Sequence, residues 1–171
     1  WALKQTRTPS FWAGLKFFNV YGPNEYHKGR MASVVLHTFQ TIKQTREMKL
    51  FRSHHKDYKD GEQSRDFIYV DDIAEVMMYF MENRVKSGIY NVGTGKARSF
   101  FDLASSVFYS MKMNPEISFI DTPVDLRGRY QYFTEAEIQK LRNVGYVKPF
   151  TELEEGVDRY VGEYLKTESC Y

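Results

Sequence analysis

A cluster of polar residues follows the first apolar segment of the sequence and contains the side chains best suited to proton transfer. The apolar and aromatic segment 14–21 runs into Gly22-Pro23, which predicts a buried strand that ends in a turn. Ligands of open α/β sheets bind beside the carboxyl ends of strands, so the polar residues here form a candidate site. They are Asn19, Tyr21, Asn24, Glu25, His27, Lys28 and Arg30. A lysine at such a place can act as an acid or a base, although a solvated loop explains these charges equally well.

A second cluster could bind phosphate. Arg65 directly precedes the predicted strand 66–70, and Arg127, Arg129 and Tyr130 lie together further along the chain. Arginine binds phosphate through two parallel N–H donors, and tyrosine adds a hydroxyl or a ring face for stacking. Ordinary surface ion pairs explain the same residues equally well, so the pattern indicates either a phosphate site or a charged surface.

Other motifs give weaker indications. Gly93-Thr94-Gly95 follows a predicted strand, as phosphate-binding loops do, but neither a full glycine fingerprint nor Gly-Lys-Ser/Thr occurs in the sequence. A tight turn is therefore the favoured interpretation. The four histidines and Cys170 lack the spacing of a zinc site, and no serine lies in a Gly-x-Ser-x-Gly elbow. The sequence predicts neither a metal site nor a serine triad.

Strands and helices alternate along the sequence, which predicts an α/β fold with parallel pairing in the early part and a smaller lobe later. Apolar segments predict further strands at 48–51, 66–70, 89–92 and 117–120. Helical spacing predicts helices over 31–44, from Asp71 or Asp72 to Asn83, and over 100–111. Capping boxes at Ser99/Asp102, Thr134/Glu137 and Thr151/Glu154 predict three helix starts. Residues 53–64 are predicted to form a loop, and Met77, Met78 and Met81 are expected in the core.

The composition excludes several classes of protein. The 171 residues suffice for one domain, and an aromatic share of 16% argues against disorder. A net charge of +2 does not indicate a nucleic-acid partner, and the longest apolar run, Val76 to Met81, is far below the ~20 residues of a membrane span. The single cysteine fits a reducing compartment, so a cytoplasmic protein is expected. Because the sequence opens on Trp1 without a signal peptide, we interpret it as a piece of a longer chain.

Five motifs resemble a known superfamily. Segments 17–23, 65–72 and 90–95 resemble the downstream motifs of the extended short-chain dehydrogenase/reductase superfamily, which many nucleotide-sugar epimerases and dehydratases share. Segments 21–34 and 126–134 are similar to one narrower family, the ADP-L-glycero-D-manno-heptose 6-epimerases. The likeness extends from about residue 11 to about residue 165.

The resemblance implies the C-terminal part of a Rossmann-type NAD(P)-binding sheet, interleaved over residues 1–171 with a smaller α/β substrate-binding lobe. The family's glycine-rich cofactor-binding segment and its Tyr-x-x-x-Lys pair do not occur in this sequence. The resemblance therefore implies that the chain alone is inactive. The full-length enzyme would use NADP to oxidise and re-reduce C6 of an ADP-activated heptose, for lipopolysaccharide core synthesis, and would be a homo-oligomer.

The resemblance also assigns roles to individual residues. Lys28 matches a catalytic acid/base that also contacts the cofactor, and Val20 matches a second cofactor contact. The substrate contacts carried over are Asn19, Arg30, His37, Phe51, Arg52, Ser53, His54, Arg65 and Tyr130. Arg30 stands where the family often has serine, and 52–54 depart from the family's Phe-Glu-Gly-Ser form in a longer loop.

Two other functions remain open at this stage. One is a different nucleotide-sugar enzyme of the same superfamily, a 4-epimerase or a 4,6-dehydratase; the stretch His27-Lys28-Gly29 favours the heptose family over it. The other is a non-enzymatic binding module that uses the abundant Tyr and Phe. The aromatics fall mostly at periodic apolar positions, which favours a core role for them.

Overall fold

A computed structural model of the protein describes residues 2–128 and 130–168, and its strands pair mainly in parallel. The strands are β1 (Ala13–Phe17), β2 (Asn19–Tyr21), β3 (Met48–Phe51), β4 (Ser64–Arg65), β5 (Phe67–Tyr69), β6 (Gly88–Val92), β7 (Arg98–Ser99) and β8 (Ile117–Ile120). Strand β1 pairs with β6, β2 with β5 and β3 with β8 in parallel, while β4 and β7 are antiparallel. The predicted α/β class with parallel pairing is confirmed.

The predicted first strand is divided into two at Phe18. Up to Phe17 the chain pairs with β6, and the Phe18 N–H still donates to the Val92 carbonyl at 3.0 Å. The next N–H, that of Asn19, donates instead to the Asp66 carbonyl at 3.0 Å. The chain thus exchanges one partner strand for another within two residues, and Asn19 lies where this exchange occurs.

The three helices that the apolar spacing predicts are present with shifted ends, and the short helix Val124–Arg127 was not predicted. They are α1 (Val34–Thr45), α2 (Val70–Glu82), α3 (Phe100–Ser110), α4 (Val124–Arg127), α5 (Gln139–Asn143) and α6 (Leu153–Arg159), which continues as a π-helical turn over Tyr160–Leu165. The capping box at Ser99 and Asp102 is confirmed, because both reciprocal hydrogen bonds are present at the start of α3. Helix α1 begins after Ser33, whose hydroxyl accepts from the Leu36 N–H.

Three predicted caps are wrong. Neither α5 nor α6 has a side-chain cap, and α5 begins after Ile138 rather than at Thr134. The hydroxyl and N–H of Thr151 donate to the Asp72 carboxylate at 3.1 and 2.9 Å. Asp72, in turn, lies in the first turn of α2 and does not cap it. A tertiary contact between Thr151 and Asp72 therefore replaces two local caps.

Two apolar clusters fill the interior. The first lies among α1, α3, α6, β2 and β5, and the second among α2, α5, β1 and β6. Helix α2 buries Ile73, Val76 and Phe80 in the second cluster. The prediction that its methionines are core is wrong, since Met77, Met78 and Met81 are 46%, 51% and 75% exposed.

Within residues 2–128 and 130–168, no helix combines the length and apolar character that crossing a membrane requires. The same residues contain no group of three or more histidine, cysteine or acidic side chains placed to hold a metal ion.

Candidate functional site

A cavity of about 250 Å³ lies beside β2, where the chain exchanges its partner strand. We call it the Lys28 cavity; its lining includes Asn19, Val20, Glu25, Lys28, Val34 and Phe67. Asn19, Val20 and Lys28, three residues predicted for the site, are therefore brought together. Tyr21 also lines the cavity, but its hydroxyl donates to the Leu153 carbonyl at 3.4 Å and burial raises its pKa, so it stays protonated.

Lys28 lies on a 3-10 turn, Tyr26–Met31, which directly follows the buried residue Glu25. In the part of the chain that the structure describes, the Lys28 ammonium has neither an ion pair nor a hydrogen bond. An unpaired, exposed ammonium at the mouth of a cavity is available for a ligand. This arrangement suits proton exchange with a hydroxyl group bound in the Lys28 cavity.

Arg30 and His37 lie outside the lining of the Lys28 cavity. Arg30 is exposed next to Met31, which does line it. His37 is half-buried on α1, three residues after the lining residue Val34 and so on the same side of the helix. Both residues are thus at the rim, where only a ligand that extends beyond the cavity would meet them.

A second group of residues, the Arg65 cluster, consists of Arg65, Phe100, Tyr130 and Phe51. The Arg65 guanidinium lies 5.6 Å from the centre of the Phe100 ring and 5.7 Å from that of Tyr130, and the rings of Phe51 and Tyr130 are 6.1 Å apart. Its N–H groups donate to the backbone carbonyls of Ser64 and Gln131. Burial lowers the pKa of Arg65, which is the signature of a cation that has lost part of its water shell.

Arg65 has no acidic partner: among the described residues, no carboxylate lies within ion-pair distance of it. Arg98, a half-buried arginine just before helix α3, has two acidic partners, Asp102 and Glu154. A partly buried guanidinium held between two rings and left without a counter-charge is a ready binding group for a phosphate.

The loop after β3 lies against the Arg65 cluster. Of its predicted substrate contacts, Arg52 and His54 are exposed and Ser53 is half-buried. The His54 N–H donates to the Tyr132 hydroxyl at 3.0 Å, and the Ser53 N–H donates to the Asp60 carboxylate at 2.8 Å. The loop is therefore held in place against the segment that carries Tyr130.

Sequence reasoning missed a set of rings on this loop. The rings of His55, Tyr58 and Tyr132 lie within 5.2–5.4 Å of one another, and Tyr132 is 5.5 Å from Tyr130. Tyr132 belongs to the family-like segment 126–134, so its proximity to Tyr130 was the one available signal. His55 and Tyr58 fall in the loop that departs from the family pattern, which left nothing to identify them.

Residues 65–67, which link the end of β4 to the start of β5, join the two parts of the site. Arg65 and Phe67 are two residues apart, so their side chains leave the extended chain on the same side. The Arg65 guanidinium and the Phe67 ring both contact the ring of Phe100. Asp66 points to the other side, where its carboxylate accepts from the N–H groups of Thr94, Gly95 and Ala136 at 2.7–3.0 Å. The Lys28 cavity and the Arg65 cluster are therefore adjacent regions on either side of Asp66, which links β4 to β5.

The interpretation of Gly93-Thr94-Gly95 as a tight turn is confirmed. The Thr94 and Gly95 N–H groups, which would face a phosphate, donate to the Asp66 carboxylate instead. A side-chain anion already occupies the position that a bound anion would take.

The remaining members of the predicted phosphate cluster lie elsewhere or outside the description. The Arg127 guanidinium donates to the Thr122 carbonyl at 2.8 Å and, among the described residues, makes no cation–ring contact with the Arg65 cluster. Arg129 and Cys170 lie outside the described residues.

Comparison with known proteins identifies a family and related sequences. A sequence model of the NAD dependent epimerase/dehydratase family matches residues 2–93. The chain is 55% identical to the ADP-L-glycero-D-manno-heptose-6-epimerase of Fusobacterium nucleatum subsp. nucleatum, over 100% of this chain and 53% of that protein. The chain thus spans about half the length of the curated relatives it matches.

Solved structures share the fold. The ADP-L-glycero-D-manno-heptose-6-epimerase of Helicobacter pylori superposes with a TM-score of 0.74 and 31% identity, over 90% of this chain and 44% of that one. The UDP-glucose 4-epimerase of Thermus thermophilus, solved as a complex with NAD, has a TM-score of 0.70 at 24% identity over 91% of this chain and 47% of its own. The second likeness concerns the fold alone.

Proposed function

This chain belongs to the NAD dependent epimerase/dehydratase family, and from that premise we propose that it forms the substrate-binding C-terminal part of an ADP-L-glycero-D-manno-heptose 6-epimerase. The complete enzyme would invert C6 of an ADP-activated heptose in the cytoplasm, for the heptose of the lipopolysaccharide core. The last strands of the cofactor-binding sheet and the substrate-binding lobe would be interleaved within residues 1–171. The 55% identity to a heptose epimerase across the whole chain supports this substrate over those of other family members.

The observation that carries the proposal is the arrangement of the Arg65 cluster beside the Lys28 cavity. A nucleotide sugar has two anionic phosphates between a flat base and a polar sugar. Arg65, with no carboxylate partner among the described residues, would bind a phosphate, and the rings around it would contact the nucleoside. Asn19 and Lys28 would then face the sugar, because the two regions adjoin along residues 65–67.

The loop and rim residues complete the proposed substrate contacts. Phe51 packs against Tyr130, so Phe51 and the following residues Arg52, Ser53 and His54 lie on the nucleoside side. Arg30 and His37 would meet the sugar only at the rim of the Lys28 cavity. We expect their side chains to contribute less to affinity than Arg65 does.

A nicotinamide cofactor fits only in part on this chain. Val20 and Lys28 line the cavity and would contact its reactive end, but the turn at residues 93–95 is filled by Asp66 and cannot hold a pyrophosphate. When bound, NADP supplies the hydride acceptor and donor for carbon C6. Lys28 would exchange a proton with the C6 oxygen, Asn19 would orient the sugar, and the apolar lining of Val34 and Phe67 would limit the access of water.

The test has two stages. Isothermal titration of this chain with ADP, UDP and GDP should show ADP binding that weakens at least tenfold in Arg65→Met, with Arg127→Met as the matched control outside the cluster. Conversion of the ADP-activated heptose should then be measured with the complete enzyme, together with its preference for NADP over NAD and its oligomeric state. Stronger binding of UDP than of ADP, with turnover of a UDP-sugar, would favour the 4-epimerase alternative. No nucleotide binding at all would reject the proposal.

A further inference from the structure

The turn that carries Lys28 is fixed at both ends by one buried carboxylate. Glu25 precedes this turn, Tyr26–Met31, and its side chain accepts hydrogen bonds from the N–H of Ser33, at 2.7 Å, and from the Ser33 hydroxyl. The Glu25 carbonyl also accepts from the Lys28 N–H at 3.0 Å. The two flanks of the turn are thereby joined through Glu25, and Ser33 in turn caps helix α1.

A residue far along the chain completes the coordination of this carboxylate. The hydroxyl of Tyr160 donates to Glu25 at 3.0 Å across a sequence separation of 135 residues, and both residues are almost fully buried. Burial and the neighbouring Glu25 charge raise the pKa of Tyr160, so its hydroxyl remains a donor. Among the described residues Glu25 has no cationic partner, so these neutral donors alone stabilise its charge.

The turn itself has little packing that could fix its shape. All six of its residues are exposed, and Gly29, at φ 52° and ψ −123°, interrupts its helical geometry. A Cβ added at Gly29 would meet no atom within 4 Å. Tyr26, at the start of the turn, lines a pocket with Leu36 and Leu165. Beyond that residue, the position of Lys28 depends on how the turn is anchored.

We propose that Glu25, held by Tyr160, is a positioning residue for Lys28; this rests on the proposed function, in which Lys28 exchanges a proton with the substrate. Tyr160 begins the π-helical turn that follows α6, a local geometry found frequently at functional sites. Through this hydrogen bond the C-terminal helix sets the geometry of a turn that is remote in sequence. Neither residue needs to touch the reacting atoms.

Exchange of backbone amides tests the anchoring on this chain directly. Tyr160→Phe and Glu25→Gln should each speed hydrogen exchange of the amides in Tyr26–Met31 at least tenfold. The matched control is Tyr90→Phe, which removes another fully buried hydroxyl that donates to a carbonyl, that of Lys86, in the other apolar cluster. Unchanged exchange in the turn for both Tyr160→Phe and Glu25→Gln, or an equal increase in Tyr90→Phe, would overturn the proposal. This arm does not depend on any catalytic activity.

Kinetics of the complete enzyme test the consequence. Misplacement of a catalytic group by about 1 Å can cost ~10²-fold, so Tyr160→Phe should lower kcat by about 10- to 100-fold with KM nearly unchanged. In a Lys28→Met background the same substitution should have no further effect on kcat, and the double variant Glu25→Gln/Tyr160→Phe should be no slower than Glu25→Gln. A loss that persists undiminished in the Lys28→Met background, or a kcat of Tyr160→Phe within twofold of the parent, would refute the positioning role. Normal kcat in Lys28→Met itself would instead reject the catalytic assignment on which the proposal rests.

Discussion

Removal of the Asp66 carboxylate should cost a large part of the stability of the fold. Asp66 is fully buried, and its two oxygens accept hydrogen bonds from the backbone N–H groups of Thr94, Gly95 and Ala136 and from the Thr94 hydroxyl. Asp66→Ala would leave three backbone donors without this partner, at about 1–3 kcal/mol each. Water that enters the vacated space would recover part of this loss, so we expect the free energy of unfolding to fall by about 3–5 kcal/mol.

A more conservative substitution sharpens the prediction. One Asp66 oxygen accepts from the N–H and hydroxyl of Thr94, and the other from the N–H groups of Gly95 and Ala136. In Asp66→Asn the amide keeps one acceptor, while its NH₂ group faces the donors of the other pair. Asp66→Asn should therefore lose about 1.5–3 kcal/mol, between Asp66→Ala and the parent.

Urea unfolding at pH 7 measures these losses as shifts of the midpoint at constant slope. The matched control is Asp71→Ala, which removes a carboxylate that is 36% exposed in an ion pair with Arg159 and should cost within about 1 kcal/mol. A loss below about 1 kcal/mol for Asp66→Ala would show that the glycines of the turn, and not the carboxylate, hold residues 93–95. Equal losses for Asp66→Asn and Asp66→Ala would contradict the assignment of one oxygen to each pair of donors.

Three further predictions concern the site, the core and the sheet edge. In the complete enzyme, Lys28→Met should lower kcat by ~10²–10⁴-fold, whereas Arg65→Met should mainly raise KM, by the equivalent of about 1.5–3 kcal/mol. Steady-state kinetics measures both values; a raised KM in Lys28→Met and a lowered kcat in Arg65→Met would exchange the two roles. Burial raises the pKa of Tyr69 to about 12, above its unfolded value near 10, so stability should fall as pH rises from about 10 to 12, and Tyr69→Phe should flatten that fall in urea titrations. Strand β1 pairs on one side only among the described residues, so this chain should self-associate through Ala13–Phe17; a monomer by sedimentation at high concentration would contradict this.

The sequence was sufficient to predict the elements and part of the site. Periodicity located α1, α2 and α3 but not the short helix α4, and the cluster at the end of a buried strand included Asn19 and Lys28, which line one cavity. Val20, which lines the same cavity, was indicated only by the family resemblance. The partner exchange at Phe18 was not predictable, because both halves of that strand have the same apolar character and only the tertiary pairing separates them.

Local patterns failed where a distant residue competes for the same group. Thr151 has the sequence context of a helix cap, but Asp72 lies 79 residues away and accepts its hydrogen bonds instead. Met77 has the right spacing for the buried face of α2, yet it remains 46% exposed, because apolar spacing cannot show which neighbours cover a face. The grouping of Arg65 with Phe100 likewise arises from β4 and β7 pairing, which no local motif encodes.

The strand pairings also bear on how the chain is made. In the described part of the chain each pair joins distant segments: Ala13 pairs with Gly88, Met48 with Ile117, and the nearest pair still joins Arg65 to Arg98. At about 5–20 residues per second of synthesis, β1 waits about 4–15 s for the last residues of β6 to be added. During that interval β1 cannot form its pairing with β6. These pairings are therefore expected to form slowly, because each must wait for a segment that is synthesised much later.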